Sequence, residues 1–388
     1  MKTPRSRSAT VLLALDLFPM ILRLTILPGD GIGPEVTEQA VRVLEIVASR
    51  FGHQLQLQRK NVGGAALAVD NDPLPADTLH TCLSSGAVLL GAVGDPAFDH
   101  YARHLRPEAG LLRLRRELGA YANLRPAVFF PALEDTSPLR AELVRGTDMM
   151  IVRELLGGAY FGEPRSIEGE EGSRVAVNTM RYGEQEIERI AKVAFELARK
   201  RRHKVLSVDK ANVLECSRLW REVVTRVGQG YPDVRLSHQY VDSAAMLLAQ
   251  RPTDIDVLLT ENMFGDILSD QAGGVVGSLG LLASASIGGS VGLYEPVHGS
   301  APDIAGKGIA NPLGAILSAA MMLRHSFRLE REALCIEATV SSVLGEGYRT
   351  ADLARKSQSA ISTSEMGRHV VEAVKGSALP AERGERAG

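Results

Sequence analysis

Short apolar runs that alternate with helix-period segments constrain this chain more than any other feature. Leu22 to Leu27, Ala87 to Leu90, Met149 to Val152, Arg174 to Asn178, Lys204 to Val208 and Asp256 to Thr260 each read as a strand. Between them lie segments such as Glu184 to Lys200, with apolar residues at helical spacing. Strands separated by helices pair in parallel, so the alternation predicts an α/β fold with a largely parallel, doubly wound sheet. At 388 residues the chain exceeds the roughly 250 to 300 at which a single core stops growing, so two domains are expected.

The charge balance of 44 basic against 46 acidic residues gives no bulk field for nucleic acid or a membrane surface, so neither is an expected partner. The run Arg199 to Lys204 reads as cations closing a helix C-terminus, where they complement its dipole. Cys82, Cys216 and Cys335 lie far apart with no CxxC, which indicates neither a disulfide framework nor a zinc site; a reduced cytoplasm is the simplest setting. The first 22 residues loosely resemble a signal peptide, but Asp16 and Pro19 interrupt the apolar run and no small-residue cleavage site follows. Residues 1–20 and 376–388 read as extensions, and Met20 could serve as the natural start.

Two segments suggest ligand contact. Pro28 to Gly33 is a glycine turn between the first strand and a helix opening at Pro34, yet the G-x-G-x-x-G spacing fails after Gly33, so a Rossmann fingerprint is not expected. From Tyr294 to Pro312, three glycines (Gly299, Gly306, Gly308) and three prolines (Pro296, Pro302, Pro312) argue against a helix or a central strand. Ile304, Ala305, Ile309 and Ala310 make this loop too apolar for a solvated linker. It is expected to wrap a ligand, and His298, Asp303 and Asn311 suit the hydroxyls, amides and flat ring of a nucleotide.

Chemistry-bearing residues cluster elsewhere. Asp266 and Asp270 stand four positions apart, which on a helix puts their Cβ atoms roughly 5 to 6 Å from one another. A hard divalent cation relieves the repulsion between two such carboxylates, and Asp242 could supply a third. Arg115, Arg125 and Arg153 would suit a dicarboxylate if they converge, because a planar guanidinium grips carboxylate through two bonds. Tyr160 and Lys210 are potential proton carriers.

Taken together, GDGIGPEV (29–36), the Leu-Leu-x-x-Arg run (111–115), NLRP (123–126), VRELLGGAYFGEPR (152–165), VDKANVLE (208–215), TENMFGDILSD (260–270) and EPVHGSAPDIAGKGIANP (295–312) resemble the β-decarboxylating dehydrogenases of 3-isopropylmalate and isocitrate. The resemblance spans Leu22 to about Val374. It implies oxidation of a 2-hydroxy acid bearing a 3-carboxylate, reduction of a nicotinamide, and loss of CO₂ from the β-keto acid. It also implies Mg²⁺ or Mn²⁺ held by Asp242, Asp266 and Asp270, with Asp242 and Lys210 reaching over from the partner of a homodimer. Arg115, Arg125 and Arg153 would hold the substrate carboxylates, Lys210 would act as base, and Tyr160 would protonate the enolate. Asn212 would lie by substrate and nicotinamide, and Glu108 near the nicotinamide. His298, Gly299, Ser300, Ala301, Asp303, Ile304 and Asn311 would contact the cofactor.

Leu111 and Leu112 stand where isocitrate enzymes place a polar serine or asparagine, and a γ-carboxylate against two leucines would be desolvated without a partner. Leu111 continues a helix face with Leu114 and Leu118, whereas Leu112 points about 100° away and can face a cleft. The expected substrate is therefore 3-isopropylmalate, with isocitrate, homoisocitrate, tartrate or malate as rivals, and a non-catalytic regulatory subunit as the rival of another class. NADP-using relatives carry Lys and Tyr at the positions of Asp303 and Ile304; a carboxylate there accepts from ribose hydroxyls and repels a 2′-phosphate, so NAD is expected. Gly94-Asp95-Pro96-Ala97-Phe98 departs from the family's common Gly-Gly-Pro-Lys-Trp. The implied domains are 21–120 with 277–375 for the cofactor, and 121–276 for dimerisation, substrate and metal, with a clasping arm near 162–182.

Overall fold

The computed structural model describes residues 19–355 and 358–377; the expectations for the N-terminal extension and the C-terminal tail fall almost wholly outside them. Among the described residues twelve strands form: β1 (Ile21–Gly29), β2 (Gln54–Arg59), β3 (Ala87–Ala92), β4 (Ala122–Val128), β5 (Asp148–Glu154), β6 (Arg165–Glu168), β7 (Val175–Asn178), β8 (Lys204–Asp209), β9 (Arg235–Tyr240), β10 (Val257–Thr260), β11 (Ala283–Ile287) and β12 (Gly292–Pro296). Ten of them make one sheet in the order β2-β1-β3-β12-β11-β4-β5-β10-β8-β9. Strand β3, AVLLGA, is buried at every position, as a run covered by helices on both faces should be.

The pairings are parallel except at the centre, where β11 lies antiparallel to both β12 and β4, and β4 antiparallel to β5. Three reversals in succession make the two parallel halves run in opposite directions. The carboxyl ends of β1, β3 and β12 thus point away from those of β5, β10, β8 and β9. Helix Asn262–Val276 packs on both β4 and β5, at the joint between the halves.

Helix Glu184–Arg199 ends one residue before the sequence reading and buries Ile187, Ile190, Ala191, Ala194, Phe195 and Ala198, a stripe of period 3.6. The cations that close it have carboxylate partners: Arg199 holds Asp233 at 2.7 Å, and Arg201 holds Asp256 at 2.9 Å and Asp148 at 2.8 Å. A nucleic-acid patch would leave such charges free.

Two expectations are corrected. Arg174 to Asn178 does contain a strand, β7, but it pairs antiparallel with β6 in a separate two-stranded sheet, exposing Ile167, Val175 and Val177. Tyr294 to Pro296, read as irregular, completes β12 inside the main sheet. Pairing with β3 ends at Tyr294, so the missing N–H of Pro296 costs that ladder nothing.

Candidate active site

Helix Asn262–Val276 starts one residue after β10, and Glu261 caps it by accepting hydrogen bonds from the N–H groups of Met263 (3.0 Å) and Phe264 (2.7 Å). One turn in stands Asp266, where two arginines and a tyrosine meet. Nη1 of Arg153, from β5, lies 2.5 Å from Oδ1; Nη1 of Arg125, from β4, lies 3.3 Å from the same oxygen. The Tyr160 hydroxyl donates to Oδ2 at 2.8 Å. Arg125 also stands 3.5 Å from Asp270, one turn further on. Gly265 is required for this approach, since a Cβ there would sit 2.6 Å from Cγ of Arg153.

Arg153 and Arg125 are only 2% and 6% exposed, so their donors must be matched inside the protein. Asn262 Oδ1 accepts from Nε (3.0 Å) and Nη2 (2.7 Å) of Arg153; Asn123 Oδ1 (2.7 Å) and Ser269 Oγ (2.6 Å) accept from Arg125. Burial, and then the neighbouring Arg125 charge, push Arg153 down to about 10, which leaves it cationic at neutral pH. Burial also lowers Arg125. Arg115 is among the charges that depress both, so the three arginines do converge electrostatically. Arg115 donates to Glu295 at 2.6 Å, while its buried Nε has no partner among the described residues. An unspent guanidinium donor beside two other arginines fits an incoming carboxylate.

The two aspartates are driven apart. Burial works to raise Asp266, but the Arg153 and Arg125 charges outweigh it and hold the carboxyl below its ordinary range. Burial raises Asp270 against the pull of Arg125, and the charge of Asp266 adds to the rise. A divalent cation between them would remove that strain, so the pair fits a metal. Burial and the bond to Asp266 push Tyr160 up to about 12, so the phenol keeps its proton at working pH.

Lys210 and Asp242 form an ion pair with each other, at the ends of β8 and β9. Asp209 holds the turn into Lys210 by accepting two bonds from Arg221, each 2.9 Å, and one from Ala211 N–H at 2.9 Å. Asn212 is exposed beside it. Among the described residues no three His, Cys, Asp or Glu side chains gather as a metal cage, so one chain alone does not bring Asp242 to Asp266 and Asp270. Leu111 packs against the core cluster of Leu114 and Leu118, while Leu112 is half-buried and outside it.

The 298–311 loop docks onto the glycine turn. Ile32 N–H donates to Ser300 O at 2.8 Å, and Gly31, at φ +57°, could carry no Cβ because it would stand 2.0 Å from that oxygen. A Cβ on Gly94 would meet Ser300 Oγ at 3.2 Å and Glu108 Oε1 at 3.3 Å, which brings Glu108 to the loop. His298 Nδ1 faces Gly299 O at 2.9 Å and its Nε2 is buried with no partner among the described residues. Burial lowers this histidine, so it is a neutral ring with one unused nitrogen. Asp303 is exposed and free of ion pairs among the described residues, Ile304 is half-buried beside the core, and Ala301 takes a left-handed φ of 41°. An orphaned ring nitrogen and a free carboxylate along one loop fit a nucleotide. Asn311 donates to Asp352 at 3.0 Å.

Residues that sequence reasoning passed over complete these arrangements. The buried Asp30 carboxylate accepts from Gly64 (2.9 Å), Ala65 (2.8 Å) and Gly94 (2.9 Å), tying the glycine turn to the loop at 94–98. Asp352 accepts from Asn311 and from Ser278 at 2.5 Å. Asn262 and Ser269 lie inside the motif that supplied Asp266 and Asp270, and that membership was the one signal available, since the arginines they hold are more than a hundred residues away in the chain.

The profile of the isocitrate/isopropylmalate dehydrogenase family matches residues 23–370. The chain belongs to that family. It is similar to the 3-isopropylmalate dehydrogenase of Aquifex aeolicus (strain VF5), 54% identical over 350 residues that cover 90% of this chain and 96% of the relative. It is 55% identical to that of Geobacillus kaustophilus (strain HTA426) over 353 residues, 91% of this chain and 95% of the relative. Among solved structures, isocitrate dehydrogenase from Methylococcus capsulatus superposes with a TM-score of 0.81 at 36% identity, covering 91% of this chain and 99% of that one. Family membership makes the chain an oxidoreductase. Among the described residues no helix is long and apolar enough to cross a membrane.

Proposed function

We propose that this chain oxidises and decarboxylates (2R,3S)-3-isopropylmalate to 4-methyl-2-oxopentanoate and CO₂ in leucine biosynthesis, with NAD and Mg²⁺ or Mn²⁺, as a cytoplasmic homodimer. The observation that carries the reading is the meeting of Arg153, Arg125 and Tyr160 on Asp266, beside Asp270. Relatives of that name, more than half identical over nine tenths of the chain, support the substrate. So does the placement of Leu112 outside the core.

When bound, the nicotinamide accepts the hydride and the divalent cation draws charge from the hydroxyl and adjacent carboxylate. Asp266 and Asp270, with Asp242 of the second chain, would hold that cation. Arg115, Arg125 and Arg153 orient the two carboxylates, so that the one on C3 can leave as CO₂. Lys210 of the second chain takes the hydroxyl proton during oxidation. Tyr160 then delivers its proton to C3 of the enolate, a task suited to a phenol held in its neutral form. Asn212 lies with Lys210 on the turn after β8 and would face substrate and nicotinamide. Glu108 and the loop from His298 to Asn311 would line the cofactor cleft, with Asp303 selecting NAD over NADP.

The order of the main sheet supports two domains, since β1, β2, β3, β11 and β12 come from 21–120 and 277–375, and the other half from 121–276. The exposed Met246 and Ile267, on the helices that carry Asp242 and Asp266, support a partner there; the exposed arm of β6 and β7 supports a clasp. Rates of NADH formation with 3-isopropylmalate, isocitrate, homoisocitrate, tartrate and malate test the reading. A preference for any acid other than the first would displace it, and binding without turnover of any would favour a regulatory subunit.

A further inference from the structure

The side chain of Asn262 is wholly buried and makes every hydrogen bond a carboxamide can make. Its Oδ1 accepts from Nε and Nη2 of Arg153, at 3.0 and 2.7 Å. Its Nδ2 donates to the carbonyls of Leu155 and Gly157, at 3.0 and 3.1 Å. The first pair occupies one edge of the guanidinium, so that Nη1 is the group turned to Asp266. The second pair closes the turn that runs from β5 into Gly158–Tyr160, and the Tyr160 hydroxyl reaches the other oxygen of Asp266.

From this geometry we infer that Asn262 is a positioning residue that fixes Arg153 and Tyr160 relative to one another through a single amide. The inference rests on the roles proposed above for those two residues. The four bonds of the Asn262 side chain go to Arg153 and to the 155–157 turn, none to the Asp266 carboxylate. It acts by setting the distance between a group that grips a carboxylate and a group that delivers a proton, and small displacements of such groups are costly to rate. A carboxylate at this position would keep both acceptors for Arg153 and lose both donors to the 155–157 turn. Alanine would lose all four bonds.

The test is a kinetic split read against a double-mutant cycle. Asn262→Asp is expected to lower kcat at least tenfold while KM for 3-isopropylmalate stays within about threefold. Asn262→Ala is expected to lower kcat and raise KM together. In a Tyr160→Phe background the kcat loss from Asn262→Asp should shrink to within about twofold, because the group it misplaces is already gone. Full additivity in that background, or a rise in KM with kcat untouched, would overturn the inference. Should the Asp variant not fold, Asn262→Ala introduces no buried charge, and its kcat loss should shrink in the Tyr160→Phe background by the part due to Tyr160, leaving the part due to Arg153; a loss unchanged in that background would overturn the inference.

A readout independent of turnover separates this inference from the proposed reaction. In protein labelled with 3-fluorotyrosine, the Tyr160 fluorine resonance, identified by its loss in Tyr160→Phe, should shift or broaden in Asn262→Asp. An unmoved resonance would count against Asn262 even in an active enzyme. A native chain that turns over none of the five acids would instead sink the proposed reaction, and the fluorine spectrum would still decide the role of Asn262.

Discussion

The hydroxyl of Tyr160 donates to Oδ2 of Asp266 across 2.8 Å, while the other oxygen of the same carboxylate faces two arginines. That bond, added to burial, keeps the phenol protonated far above neutral pH. A group so held can give a proton and then recover it from solvent. Tyr160→Phe is therefore expected to lower kcat by about 10² to 10⁴ with little change in KM. Steady-state rates with saturating NAD and Mg²⁺ check this, and a variant keeping a tenth of the native kcat would remove Tyr160 as the proton donor.

Leu112 is half-buried but belongs to no core cluster, unlike Leu111 one position earlier. If it meets the isopropyl group, Leu112→Ser trades apolar contact for an unmatched hydroxyl. Discrimination by such a change runs at roughly 10- to 200-fold. The ratio of kcat/KM for 3-isopropylmalate to that for isocitrate should fall by about that factor, with thermal stability nearly unchanged. An unchanged ratio would move the specificity contact elsewhere.

Much of this arrangement was legible in the sequence, and the limits were physical. The strand at Ala87 announced itself as an unbroken apolar run, and the helix at Glu184 by the 3.6-residue period of its buried stripe. β4 did not, because Pro126 falls inside it; β11 pairs only as far as Leu124, so the missing N–H lies past that ladder. β12 was obscured by Pro296 for the same reason. Asp266 and Asp270 stood out because two acids on one helix face need an explanation. Asn262 and Asp352 did not, since their importance is a set of hydrogen bonds to residues distant in the chain, which no local spacing encodes.

Asp303 is exposed and has no ion-pair partner among the described residues, so its charge is free to act on a ligand. Replacing it with Asn removes the repulsion of a 2′-phosphate and one acceptor for the ribose hydroxyls. At an exposed position solvent screens the effect, so about a tenfold gain in kcat/KM for NADP is expected, with a similar loss for NAD. Parallel assays with the two cofactors decide it; equal losses for both would mean that Asp303 only shapes the loop.

Lys210 pairs with Asp242, apart from the group around Asp266. If the two chains of a dimer share their sites, Lys210→Ala and Tyr160→Phe each spoil both sites of a homodimer. A heterodimer of the two variants keeps one site with both native residues. Mixed and refolded chains, purified through two different affinity tags, should recover about half the native activity per dimer. Verified heterodimers that stay inactive would place all the chemistry within one chain.

Glu154, wholly buried at the end of β5, accepts from the N–H groups of Leu156 and Gly157, at 3.1 and 2.7 Å, and from Arg189 at 3.3 Å. Burial nonetheless pushes its carboxyl up to about 7. A carboxyl raised on folding binds its proton more tightly in the native state, so between pH 4.5, its ordinary value, and about 7 the native state carries more protons. This group's share of stability is then full below that window, falls as pH rises through it, and is constant above. The span amounts to on the order of 3 kcal/mol. Glu154→Gln cannot ionise and sets an amide against the same N–H donors, a cost that does not vary with pH. The stability difference between native and variant proteins, from urea unfolding at pH 5 and pH 8, should therefore move in favour of the variant at the higher pH. A difference independent of pH would mean that the three donors keep Glu154 ionised throughout.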